Sequence, residues 1–234
     1  MASSNLSFHV PQEWEPDKLI PLLKTLYQND VSFRSVKDLL DFSESKGLSS
    51  RTETQFLARV CGLIEEDDNG FIGLSNKGKT IIQLNQNVLP DVIHFILYTG
   101  WDSKNISNNT FLWSYREVLD TLWGYSSVDI LDVTNIIVEE IRNRAQKVFI
   151  GIESFNPNSV SFCPKSIRGV RKWLEALQPP AIEDGHFSRR YFCPSALILL
   201  AIGWVAKSQS SEIGIDFLLT KKNRDDICKI CLLD

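Results

Sequence analysis

Residues 35–84 constrain the fold of this 234-residue chain more than any other stretch. Ser35 stands where a helix needs an N-cap. Behind it Val36, Leu39, Leu40 and Phe42 recur at helical spacing, and Lys46-Gly47 supplies the stop. A second helical period starts at Ser49 or Ser50 and puts Phe56, Leu57, Val60, Cys61 and Ile64 on one face. A carboxylate-rich turn follows at 65–70, then a short β-type run at 71–74. Ser75-Asn76-Lys77-Gly78 then leads into a helix at 79–82. Two helices joined by a Gly-containing turn and followed by a small hairpin form one compact unit.

The run from Gly62 to Lys79, Gly-Leu-Ile-Glu-Glu-Asp-Asp-Asn-Gly-Phe-Ile-Gly-Leu-Ser-Asn-Lys-Gly-Lys, is similar to the wing and following helix start of the winged helix-turn-helix superfamily. The resemblance covers about a third of the chain and implies a third helix that enters the DNA major groove. Ser50, Arg51, Thr52, Thr54 and Gln55 at that helix start would read bases, with Lys77 and Lys79 holding backbone. Residues 1–90 nevertheless carry nine basic and twelve acidic side chains, and Glu65-Glu66-Asp67-Asp68 opposes phosphate. Use of the same unit as a protein-docking scaffold therefore stands beside DNA binding. At class level the resemblance implies a regulator or an accessory subunit of prokaryotic defence or mobile-element systems.

The rest of the chain predicts further helices, so the expected fold class is mainly α. Residues 1–14 are expected as a tail, 15–90 as the winged-helix domain, 91–178 as a helical or second winged-helix-like domain, and 179–234 as a helical C-terminal subdomain. Leu19, Leu22, Leu23, Leu26 and Tyr27 mark a first helix, with Pro21 in its first turn and Asp17 facing its N-terminal dipole. Residues 111–125 and 129–147 read as helices. Residues 148–152 and 159–162 read as strands of a possible second wing around Asn156-Pro157. Helices are expected at 165–177, 194–207, 212–219 and 225–233, with 179–185 as a linker. The apolar run 196–205 is about half the ~20 residues that span a bilayer, so it predicts a buried core helix.

Charge is unevenly spread along the chain. Residues 91–141 hold two basic and eight acidic side chains, whereas 142–190 hold nine basic and four acidic, inside a net charge of -4. A phosphate backbone responds to the local field, so Arg142, Arg144, Lys147, Lys165, Arg168, Arg171, Lys172, Arg189 and Arg190 are the second candidate DNA contact. Trp173, Phe187, Tyr191 and Phe192 offer aromatic surface beside them. Solvated helix faces and a core Trp173 are the simpler account of the same residues. Trp101, Trp113 and Trp123 are candidates for protein docking if exposed.

Five cysteines and no export signal point to a reducing, cytoplasmic setting. Cys228 and Cys231 have the spacing of half a zinc site, which Cys163 or Cys193 with His186 would complete; two inward thiols of a helix are the alternative, and no metal is expected. Cys-x-x-Cys as a redox pair lacks its usual strand-helix context. His9, His94 and His186 lie far apart, no nucleophile or phosphate-loop motif occurs, and Glu139, Glu140 and Arg142 form no nuclease set. His94 falls in an apolar run and reads as a core histidine. The expectation is a non-catalytic DNA-binding protein without a cofactor or membrane contact, with a protein-interaction subunit or homo-oligomer as the alternative.

Overall fold

The computed structural model describes residues 6–49, 51–102, 104, 109–152, 155–208 and 214–234. The chain is mainly α, with two small antiparallel sheets. Helix α1 (Pro16–Asn29) starts on Pro16, whose missing N–H is no loss in a first turn, and buries Leu19, Leu22, Leu23 and Leu26. In α2 (Val36–Ser45) the Ser35 hydroxyl accepts from the Asp38 N–H at 3.1 Å, and Gly47 leaves the helix at φ +73°. Helix α3 (Thr52–Val60) packs on α1, α2 and β1 (Ile64–Glu66). Strand β1 pairs antiparallel with β2 (Ile72–Leu74) in the register Ile64 to Leu74, so Glu65 and Glu66, expected in a turn, are strand residues.

Helix α4 (Asn76–Ile82) is capped by Ser75, which accepts from the Gly78 N–H at 2.9 Å and donates to the Gly62 carbonyl at 2.7 Å. Gly78 is required there, because a Cβ would lie 2.0 Å from the Leu63 carbonyl oxygen. Helices α5 (Leu89–Thr99), α6 (Thr110–Trp123), α7 (Ile130–Val148) and α8 (Pro164–Ala176) build the central body. A three-stranded sheet in the order β3-β5-β4 joins β3 (Ser127–Asp129) to the hairpin of β4 (Ile182–Glu183) and β5 (His186–Ser188). Helices α9 (Ser195–Ser208), α10 (Ile215–Leu219) and α11 (Lys221–Cys231) close the chain.

Several expectations are corrected. Residues 6–14 are no tail: Phe8, Val10 and Trp14 are buried, and Phe8 stacks edge-on to Trp113 and Phe149 at 5.8 and 4.9 Å. Gly169 of α8 lets this strap approach, since a Cβ there would meet the Pro11 carbonyl oxygen at 2.6 Å. The strands expected at 148–152 and 159–162 do not form. The helical period of Ile137, Ile141 and Ala145 carries α7 through Val148, and Pro157–Ser159 is a 3-10 turn. Instead the expected linker 179–185 makes a hairpin, turned by Asp184 and Gly185 at φ +49° and +84°. One apolar core runs through the expected boundaries at 90 and 178. Among the described residues no helix is long and apolar enough to cross a membrane.

Candidate functional site

The first candidate surface is the start of α3 with the β1–β2 hairpin. Arg51 and Thr52 are exposed, but Gln55 is corrected: it is buried and its Oε1 has no partner among the described residues, so it faces the interior and not a groove. Thr54 is buried too, and Ser50 lies outside the described residues. Lys77 donates to the Cys61 carbonyl at 2.8 Å, and burial holds its pKa below the ordinary lysine value. Lys79 sits 4.0 Å from Asp30. Around the hairpin Glu65, Glu66, Asp67 and Asp68 are all exposed, and Arg59 meets Glu66 at 3.4 Å. That tip presents a negative field where a phosphate backbone would lie.

The second candidate is the basic segment on α7, α8 and the strand after them. Most of its cations are already matched. Arg144 bridges Glu117 at 2.9 Å and Glu140 at 3.1 Å, Arg171 pairs with Glu175, and Lys172 reaches Glu15 at 3.3 Å. Those pairings draw the Glu15 carboxyl below its usual range, with the Lys18 contact at 2.7 Å the largest cause. Arg189 lies over the Trp123 ring at 4.6 Å and bonds Asp234 at 3.2 Å.

Arg190 is a plain correction. Its side chain is 0% exposed, with Nη1 2.7 Å from Asp91 Oδ1 and both Nε and Nη2 donating to the Cys231 carbonyl, at 3.1 and 2.6 Å. It clamps the C-terminus to α5, and a phosphate in solvent does not reach it. Arg142, Lys147, Lys165 and Arg168 are the exposed members of the set that meet no carboxylate among the described residues; Arg142 is steadied by the Phe162 carbonyl at 2.9 Å. Trp173 and Phe187 are core residues, while Tyr191 and Phe192 are 91% and 67% exposed. Trp113 is buried and Trp101 half-buried; Trp123, also half-buried, is capped by Arg189 and Lys229.

His94 is buried, with Nδ1 2.9 Å from the Tyr115 hydroxyl and Nε2 2.9 Å from the Ile230 carbonyl. Burial pushes its pKa down to about 3, so it is a neutral core group. Among the described residues no three His, Cys, Asp or Glu side chains are grouped to hold a metal ion. Cys231 is buried and Cys228 half-buried on α11, and all five cysteines are free thiols.

A third surface is one that the sequence did not signal. Helix α9 is corrected from a buried core helix: Leu197, Ala201 and Val205 face inward, but Leu199 is 69% exposed and Leu200 is exposed beside it. Ala196, Leu199, Leu200, Gly203 and Lys207 follow helical spacing along this outer face. Leu199 and Leu200 border a groove of about 690 Å³ whose other walls include Ile81, Leu84, Val92, Phe95 and Ile96. Among the described residues the groove lining holds one charged side chain, Lys77, and no carboxylate. Such a trough can seat an apolar helix face, at about 1.5–3 kcal/mol for each large aliphatic side chain it covers. No family model matches this chain, and neither a curated protein nor a solved structure matches it.

Proposed function

We propose that this chain is a non-catalytic docking subunit, in which residues 15–90 serve as a winged-helix scaffold and the groove between α4, α5 and α9 holds an amphipathic helix of a partner protein. The exposed Leu199–Leu200 edge of a helix that is apolar on nearly every face carries the proposal. Charge defines the occupant further. With Lys77 in the groove, Lys207 exposed further along α9 and no carboxylate in the lining, the fitting helix has an acidic flank beside its apolar face. The four carboxylates around the β1–β2 hairpin also favour a scaffold over a DNA-binding wing.

A photo-crosslinking residue placed at position 199, in cells that express the chain, tests this. The expected product is one heterologous adduct whose linked peptide is an amphipathic helix with acidic flanks, lost in a Leu200→Asp background. An adduct with a second copy of this chain, or no adduct beyond those formed from position 168, overturns the proposal.

A second function rests on a separate observation. Lys165 and Arg168 are exposed on α8 without carboxylate partners among the described residues, and Arg142 is held at the start of the same helix. These side chains suit backbone phosphates of duplex DNA, as in an accessory subunit of a prokaryotic nucleic-acid-handling or defence system. Salt-sensitive duplex binding that disappears in Lys165→Ala/Arg168→Ala establishes that function in place of docking; its absence removes it.

A further inference from the structure

The groove beside α9 is walled by stripes from three helices. Lys77, Ile81 and Leu84 step down one face of α4 and the residues after it, Val92 and Ile96 step down one face of α5, and the Leu199–Leu200 edge of α9 forms the third side. Two threonines in the lining add little polarity to it. Thr80 donates to the Asn76 carbonyl at 2.9 Å and Thr99 to the Phe95 carbonyl at 2.7 Å, so each hydroxyl proton is spent within its own helix.

Lys77 is held at the start of α4 by the bond from its Nζ to the Cys61 carbonyl at 2.8 Å. That bond uses one of the three N–H groups of the ammonium, and two are left to donate. We propose that this groove is a binding site for a free long-chain monocarboxylate, with its head on the Lys77 ammonium and its alkyl chain along the wall between α5 and α9.

Size, lining and charge each select this ligand. The groove volume of about 690 Å³ falls within the range of about 300–1,000 Å³ in which small-molecule sites lie. Aliphatic walls reward a chain of methylenes and offer nothing to a polar body. One ammonium matches one negative charge. A phosphate monoester, with nearly two, finds no second cation among the described lining residues, and an alkylammonium meets Lys77 as a like charge. The inference goes beyond the docking reading, because the acid needs no protein partner. A docked helix with an acidic flank claims the same wall and the same ammonium, so the acid is its competitor.

Calorimetric titration of the purified full chain with decanoate, dodecanoate and decylammonium tests this, with the methyl resonances of Ile81, Leu84, Ile96 and Leu199 followed in parallel. Decanoate should bind saturably and shift these four residues. Dodecanoate should bind about tenfold more tightly, since two more methylenes leave water. Decylammonium, with the same chain and the opposite charge, should bind at least about tenfold more weakly than decanoate. Lys77→Met should weaken decanoate about tenfold and leave decylammonium no weaker. Equal affinity for the two head groups, affinity that does not grow with chain length, or shifts confined to other residues would each overturn the proposal. Those three readings use the wild-type chain alone and stand whether or not the variant folds. Acid binding without any adduct from position 199 keeps this proposal and removes the docking reading, and an adduct without acid binding does the reverse.

Discussion

Among the described helices of ten residues or more, α5 and α9 are the two most apolar, and they meet opposite fates. Helix α5 is wrapped by α4, α6, α8, α9 and α11 and buries Leu89, Val92, Ile93, Leu97 and Tyr98. Its two polar core groups are both answered, Asp91 by Arg190 and the Gln178 N–H, His94 by Tyr115 and Ile230. Helix α9 is braced mainly by α11 and α5, which leaves Leu199 and Leu200 facing out. Similar apolar content therefore does not decide burial. The number of neighbours that the topology delivers does, and a face left over on such a helix is a surface for something else.

The largest expected effect lies at the polar lock of α5. Arg190→Met leaves the Asp91 carboxylate buried without its partner, and chemical denaturation should show a loss of about 3–5 kcal/mol. The double variant Asp91→Leu/Arg190→Met should recover part of that loss, because no unpaired charge remains. A single variant as stable as wild type would mean that the lock is not what holds the C-terminus to α5. Next comes a matched pair of truncations. Leu97→Ala on α5 should cost about 2–5 kcal/mol through the cavity it leaves. Leu199→Ala on α9 should stay within about 0.5 kcal/mol of wild type. Equal losses would break the contrast between the two helices.

Local signals explain what could be read without coordinates. The boundaries of α2 follow from the Ser35 cap and the Gly47 stop, and the hairpin before α4 follows from Gly70 and Ser75. Where the deciding partner is distant, the pattern misled. Arg190 looks like a surface cation because Asp91, which buries it, lies 99 residues away. Phe8 sits in a segment without periodicity, and only the aromatic cage of Trp113, Phe149 and Phe155 makes it core. Asp184-Gly185 did carry a local hairpin signal, overshadowed by the Pro179-Pro180 pair before it. The exposed face of α9 had no such signal, since periodicity reports which residues are apolar and not how many sides are covered.

A smaller effect should appear as a pH dependence of α5. Unfolded, His94 takes up a proton near its ordinary value of 6.5; in the folded chain burial delays this to about 3. Between those values the unfolded state binds more protons, so stability falls as the pH drops, by about 1.4 kcal/mol per unit once below roughly pH 6. His9, lowered by its own burial, adds in the same direction. Denaturation midpoints measured from pH 7 to 5 should follow this slope in wild type and flatten in His94→Gln, whose amide keeps a polar partner for the Tyr115 hydroxyl. A slope unchanged in that variant would assign the dependence elsewhere.

The smallest expected change in stability carries the functional contrast. Leu199→Asp puts a charge on a side chain already in water, so the melting transition should move by no more than about 0.5 kcal/mol. A docked partner loses far more, because the carboxylate must be desolvated in the groove and competes with the partner's acidic flank for Lys77. Affinity for the acidic-flanked helix recovered from the crosslink at position 199 should therefore fall at least tenfold, or about 1.4 kcal/mol. The same substitution moved to Leu97 should instead abolish folding, since that position has no route to water. An Asp at 199 that destabilises the chain as an Asp at 97 does would make α9 a core helix after all, and the groove would lose its claim to a partner.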